Sequence, residues 1–174
     1  MKNALVVRGG WEGHVPVPAS DRYAGVLKNS GFDVTVTDSL DSYLDEELLA
    51  GTDLVVQCWT MGTITREQAL GLSRAVRAGT GLAGWHGGIV DAFNTEHVYN
   101  LITGGQFLRH PPGFVSYSVR TVSDHPVVAG ISEFTITTEQ YYMHVDPGNE
   151  VLAVTDFVAD PDYPELAGVV MPVT

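Results

Sequence analysis

GLAGWHGG, residues 81–88, is the stretch on which the fold turns. Gly84, His86 and Gly88 have the spacing of a G-x-nucleophile-x-G turn, placed where a short strand ends and a new segment begins. Flanking residues without Cβ bulk let the backbone turn sharply while the central side chain projects from a strained conformation. Here that central residue is His86. If a helix follows, its N-terminus disfavours imidazolium, which leaves His86 neutral and able to ligate a metal or accept a proton. In isolation the motif would be a glycine-rich strand end with a hydrogen-bonded turn histidine; its surroundings decide otherwise.

Upstream, short β-branched runs alternate with helical stretches, the signature of stacked βαβ units around a parallel sheet. ALVVRGG (4–10) reads as strand one. Residues Ser20 to Ser30 read as a helix, with Ala24, Val26 and Leu27 at helical spacing, a serine to cap it and Gly31 to stop it. FDVTVTDS (32–39) is strand two, a short helical piece covers Asp45 to Leu49, and TDLVVQCW (52–59) is strand three. The next helix is capped by Thr65 and stopped at Gly79, and GLAGW is strand four. Ligand sites in open α/β sheets lie outside the carboxyl ends of the strands, which is where His86 falls. Beyond Ala92 helices become scarce, and FVSYSVRTV (114–122), FTITTEQYYMHV (134–145) and EVLAVTDFV (150–158) have strand character. FLRHPPG (107–113) is expected to be irregular, because consecutive prolines preclude a helix interior or a central strand.

The chain has 174 residues, 44% of them hydrophobic, with a mean hydropathy of +0.07, which suits one domain with a proper core. Its 21 acidic residues against 9 Lys and Arg give a net charge of −12 without any basic cluster, so nucleic acid is not an expected partner. Cys58 is the only cysteine, which excludes an intrachain disulfide and fits a reducing compartment. With neither a signal-peptide pattern nor a membrane-length apolar run, the expectation is a soluble, cytoplasmic protein with no membrane partner. Cys58 lies outside any G-x-C-x-G context, no G-x-S-x-G occurs, and a phosphate-cradling G-x-x-x-x-G-K-[ST] is absent.

WEGHVPVP (11–18) follows strand one and opens at the same sheet edge as His86, so His14 is either a site residue or an exposed loop histidine, and Glu12 the latter. Glu139 and His144, in TTEQYYMHVD (137–146), are five positions apart; both reach one pocket only if a bend interrupts the strand. His125, in Asp124-His125-Pro126, reads as a turn residue, and His97 as a helix-surface residue.

In this order, GLAGWHGG (81–88), LITGGQFLRHPPG (101–113) and SDHPVVAGISEFTITTEQYYMHVD (123–146) resemble the ThuA-like family, named for trehalose utilisation, over most of residues 81–146. The resemblance implies an α/β fold of the three-layer, flavodoxin-like, class I glutamine amidotransferase-like kind. Its central sheet is mostly parallel with helices on both faces, and its second half is strand-rich. Family members carry histidine where an amidotransferase has its cysteine, and His86 matches that position. His125, Pro126, Gly130, Glu139 and Tyr141 match a second family signature, and His110 a loop histidine placed for substrate contact. ThuA-like proteins usually continue past LAGVVMPVT (166–174) into a further strand, a histidine-containing turn and a helix. Residues 1–174 are thus expected to be a single ThuA-like domain lacking that segment, with exposed sheet edges that favour a homo-oligomer.

The family's link to sugar oxidoreductases implies a small-molecule sugar as partner and metal-assisted hydrolysis or isomerisation of an oxidised glycoside. His14 and His86, with Glu139 or His144, would hold a divalent transition metal, zinc, manganese or nickel given the imidazole ligands. In a metal-free version His86 is the general base and Glu139 its acidic partner. Trp11, His110 and Tyr141 are the expected substrate contacts. Trp59 and Trp85 also stand at strand ends, with core burial as the equal alternative. A non-catalytic sugar-binding or regulatory module, or a subunit that only stabilises a partner enzyme, is the competing expectation.

Overall fold

A computed structural model describes residues 1–173, in two compact units divided between Thr103 and Gly104. The first unit carries β1 (Lys2–Gly10), α1 (Pro16–Asn29), β2 (Phe32–Thr37), α2 (Glu46–Ala50), β3 (Leu54–Thr60), α3 (Arg66–Ala78), β4 (Gly81–Gly84), α4 (Gly87–Val90) and α5 (His97–Thr103). Its strands form a parallel sheet in the order β2-β1-β3-β4. Side-chain alternation sorts the two faces of that sheet. Leu5, Val7 and Val55 point to one face, where they join Ala69, Leu72 and Ala75 of α3, Tyr99 of α5, and Tyr43 and Phe93 in the main core. On the other face, Arg8 reaches Ser20 and Asp21 of α1, and Cys58 lies against the Pro16 carbonyl. Helices therefore cover both faces of a parallel sheet, as expected.

The boundaries of α3 follow the sequence closely. Thr65 and Gln68 form a reciprocal capping box, and Gly79 closes the helix at φ 113°. For α1 the expected start at Ser20 is too late. The helix begins at Pro16, whose fixed φ suits a first turn and whose missing N–H costs nothing there. Ser20 is buried inside the helix, its hydroxyl donating back to the Val17 carbonyl instead of capping.

The second unit holds β5 (Gly105–Arg109), β6 (Val115–Thr121), β7 (Phe134–Thr138), β8 (Tyr142–Val145), β9 (Ala153–Asp156) and β10 (Val170–Pro172). They make a four-stranded antiparallel sheet, β10-β9-β6-β7, and a two-stranded ribbon, β5-β8. Two expectations change here. Phe107–Arg109 is not irregular but completes β5, with the register shifting between Phe107 and Arg109, so only the segment from His110 onward escapes pairing. FTITTEQYYMHV is not one strand: Glu139, Gln140 and Tyr141 separate β7 from β8. Gln140 explains the break. Its buried amide donates to the Thr155 hydroxyl (2.8 Å) and the Asp156 carbonyl (3.0 Å), and accepts from the Val158 N–H (2.8 Å). Among the described residues no helix is long and apolar enough to cross a membrane.

Candidate functional site

In the first unit, the chemistry gathers at the carboxyl edge of the sheet, where β1, β3 and β4 end. His86 follows β4 with φ 52° and ψ −148°, a conformation few L-residues adopt, and the short helix α4 starts immediately after it. Contact requires a glycine at 84 and crowds the position at 88. A Cβ on Gly84 would lie 2.7 Å from Ile89 Cβ and 2.9 Å from the Gln57 carbonyl oxygen, and one on Gly88 would lie 3.3 Å from Cys58 Cα. The elbow anticipated from the sequence is therefore real in backbone terms. Val15 (φ 43°) and Met61 (φ 60°) are strained in the same sense just beyond β1 and β3, so unfavourable backbone clusters along one edge.

His14 closes the 3-10 turn Glu12–His14 after β1 and is half-buried. Its Nδ1 is 2.9 Å from the Thr60 hydroxyl oxygen, and its ring centroid is 5.0 Å from that of His86 with the planes inclined at 68°. A ring nitrogen of each lies within 4.8 Å of the other. An ion held by both at about 2.1 Å needs them no more than ~4.2 Å apart. Two imidazoles suit a transition metal such as zinc or nickel better than magnesium or calcium. Trp11, 50% exposed, meets His14 edge-on with centroids 4.8 Å apart. Gly13 makes room for it, since a Cβ there would fall 2.3 Å from the indole. Glu12 is exposed.

The other tryptophans pack. Trp85 packs against Tyr23 with ring centroids 4.2 Å apart and planes tilted by 35°, and Trp59 lies on the main core 6.2 Å from Phe93. Burial pushes the Cys58 thiol up, with Arg8 opposing weakly, so this cysteine is a poor nucleophile. Arg8 itself is held charged, first by its hydrogen bond to Asp38 and then by Asp21, each at 2.6 Å.

In the second unit, Glu139, His110 and Tyr141 come together. His110 Nε2 is 3.6 Å from a Glu139 carboxylate oxygen, while its Nδ1 donates to the Pro111 carbonyl at 2.7 Å. A hydrogen bond from Nε2 to Glu139 thus requires the doubly protonated ring. Tyr141 stacks parallel to His110 at 6.2 Å and meets Phe107 at 4.2 Å. The Tyr117 hydroxyl donates to the Glu139 carbonyl at 3.2 Å, and burial pushes that phenol up. Beneath them Arg109 grips the fully buried Asp160 through Nε (2.8 Å) and Nη2 (2.7 Å), its guanidinium 3.9 Å above the Tyr163 ring. His144 is on β8, exposed on the face opposite the buried Met143. His125 caps a turn by accepting from the Val127 N–H, and His97 is exposed at the start of α5.

Two contributors escape sequence reasoning. Thr60 ends an apolar strand, which hints only at an edge position. Gln140 carries no signal, because a glutamine between Glu139 and Tyr141 looks like solvent-facing polarity.

A family model described as trehalose utilisation matches residues 3–174. Among solved structures, a ThuA-like protein from Bacteroides uniformis ATCC 8492 superposes with a TM-score of 0.71 at 19% identity, covering 88% of this chain and 67% of that one. A ThuA-like protein from Parabacteroides merdae ATCC 43184 gives 0.70 at 19% identity, over 98% and 73%. The glutaminase domain of Trypanosoma brucei CTPS, with bound acivicin, gives 0.55 at 12% identity, over 99% and 79%. At these identities the likeness establishes the fold, that of a glutamine amidotransferase-like α/β protein. No curated protein matches the sequence.

Proposed function

Because this chain belongs to the ThuA family, whose described role in trehalose utilisation lies in carbohydrate metabolism, we propose that it is a metal-assisted hydrolase or isomerase of an oxidised glycoside such as a keto-disaccharide. The observation that carries the proposal is the pairing of His14 with His86 at the carboxyl edge of the sheet, with ring centroids 5.0 Å apart. A divalent ion held there would polarise a sugar carbonyl or favour ionisation of a bound water. The protein's part is orientation. The strained elbow fixes the direction of His86, and the Thr60 hydroxyl occupies His14 Nδ1, which leaves Nε2 for a ligand. Trp11 offers an exposed aromatic face on which a sugar ring can stack.

Glu139 is the proposed carboxylate of the reaction, as third ligand or as proton carrier, with His144 as the alternative ligand. The resemblance singles out Glu139, and Gln140 holds its backbone in place. His110 and Tyr141 are proposed to contact the sugar.

Tag-free protein should retain zinc, manganese or nickel by elemental analysis, and His14→Ala and His86→Ala should each lower the stoichiometry. Equal metal in wild type and both variants would end the metal reading. Glu139→Gln should cut turnover of a 3-keto-disaccharide by about 100-fold or more if it moves a proton, and unchanged turnover would remove it from the mechanism. A sugar-binding module without catalysis is the competing reading, favoured by the exposed Trp11. It would be supported by saturable sugar binding that Trp11→Ala abolishes, with no turnover in the metal-loaded wild type.

A further inference from the structure

We propose that His110 is a ligand of the divalent transition metal assigned to Glu139, with its Nε2 and a Glu139 carboxylate oxygen at two adjacent coordination positions. The inference rests on the reading of Glu139 as a ligand. It gives His110 a role beyond the sugar contact, which the ring would make with atoms other than Nε2.

The second unit restrains the His110 ring through both its edge and its face. Nδ1 lies 2.7 Å from the Pro111 carbonyl oxygen. A carbonyl oxygen only accepts, so this nitrogen carries the proton. The carbonyl stands between two proline rings, Pro111 and Pro112, which restrict its peptide's freedom to turn. Tyr141 lies parallel to the imidazole within 15°, with centroids 6.2 Å apart, and Phe107 approaches it at 5.9 Å. In the neutral ring the lone pair is therefore on Nε2. Metal-bound histidines have this arrangement, with the other ring N–H given to a carbonyl or carboxylate.

Distance then separates the possible occupants of the gap between Nε2 and Glu139. The two atoms are 3.6 Å apart. A charge-assisted hydrogen bond would draw them to about 2.7–2.9 Å, and a separation of 3.6 Å is not a hydrogen bond. Without a proton or a cation between them, two lone pairs would face each other. An ion about 2.1 Å from each atom sets them ~3.0 Å apart at a right angle and ~3.6 Å apart at about 118°, so they already stand at coordination spacing. Access is open, since the two side chains are 32% and 25% exposed. The neighbouring cation, Arg109, is turned to Asp160 and Tyr163. Glu139 is held from behind, its carbonyl taking the Tyr117 hydroxyl and the next residue, Gln140, anchored to Thr155, Asp156 and Val158. One imidazole and one carboxylate suit zinc, manganese or nickel.

The test reads ligation directly. Protein with 15N in its imidazoles, stripped by chelator and loaded with a spin-active cadmium isotope, shows a one-bond coupling only where a ring nitrogen is bonded to the metal. His110→Gln assigns the His110 signals. The expected spectrum has that coupling at His110 Nε2. In chelator-competition titrations, His110→Gln should weaken zinc at least about 10-fold, with its urea midpoint little changed. Added imidazole should restore part of the loss in His110→Gly, which a merely structural role of the side chain would not allow. Cadmium retained by wild type without coupling at His110 overturns the proposal, and that result needs no variant to fold. Zinc lost in Glu139→Gln but held normally by His110→Gln overturns it too, and leaves the metal reading standing with His110 and Glu139 a plain ion pair. Zinc bound as tightly by Glu139→Gln as by wild type removes Glu139 as a ligand, and this proposal falls with it.

Discussion

His86 sits at φ 52° and ψ −148°, a region open to glycine and costly by about 1–3 kcal/mol for other residues. His86→Gly should therefore be more stable than His86→Ala by about 1 kcal/mol in urea denaturation, although both lose the imidazole. Equal stabilities would mean that the strain is not stored in this residue. The neighbouring glycine behaves oppositely. Gly84→Ala should cost about 1–3 kcal/mol, because Ile89 and the Gln57 carbonyl already occupy the space a methyl group needs. At this scale the sequence is informative, since the G-x-H-x-G spacing encodes both the turn and its crowding. It is silent on Thr60, because a side chain whose role is to touch a residue 46 positions away leaves no local pattern.

Elements were legible where their ends are made by local chemistry. Thr65, Gln68 and Gly79 fix α3 from within its own sequence, and Thr65→Ala should cost about 1 kcal/mol. Elements were illegible where a distant partner decides. The break between β7 and β8 exists because Gln140 turns inward to satisfy Thr155, Asp156 and Val158, none of which a local pattern can nominate. Gln140→Leu leaves those buried groups unpaired, so a loss of about 3 kcal/mol is expected from denaturant midpoints. A loss below about 1 kcal/mol would show that water replaces the amide. The helix α5 draws on both: the Glu96 carboxylate accepts from the Val98 N–H at 3.0 Å at its start, and packing fixes the rest. Tyr99 buries its ring in the core and donates its hydroxyl to the Ile89 carbonyl at 2.8 Å.

At the scale of the molecule, the parallel half was readable because each βαβ step is short in sequence. The antiparallel half was readable only as strands, since pairing β6 with β9 or β5 with β8 depends on contacts over long separations. Burial pushes up Cys58, Tyr43 and Tyr99, so the folded chain keeps protons that the unfolded chain releases. Stability is then complete below the unfolded thiol value, about 8.5, and falls as pH climbs past it and past the unfolded phenol value near 10. Urea midpoints should drop between pH 8 and pH 10 by an amount worth about 1–2 kcal/mol, and a flat profile would contradict the protonated interior. Finally, the backbone at residue 86 is flanked by close contacts that its own side chain does not make, severe at Gly84 and milder at Gly88. Position 86 is thus a socket whose occupant can change while the scaffold stays the same. A lineage using this turn can trade one reactive group for another without refolding, and His86→Cys would present a thiol along the same vector.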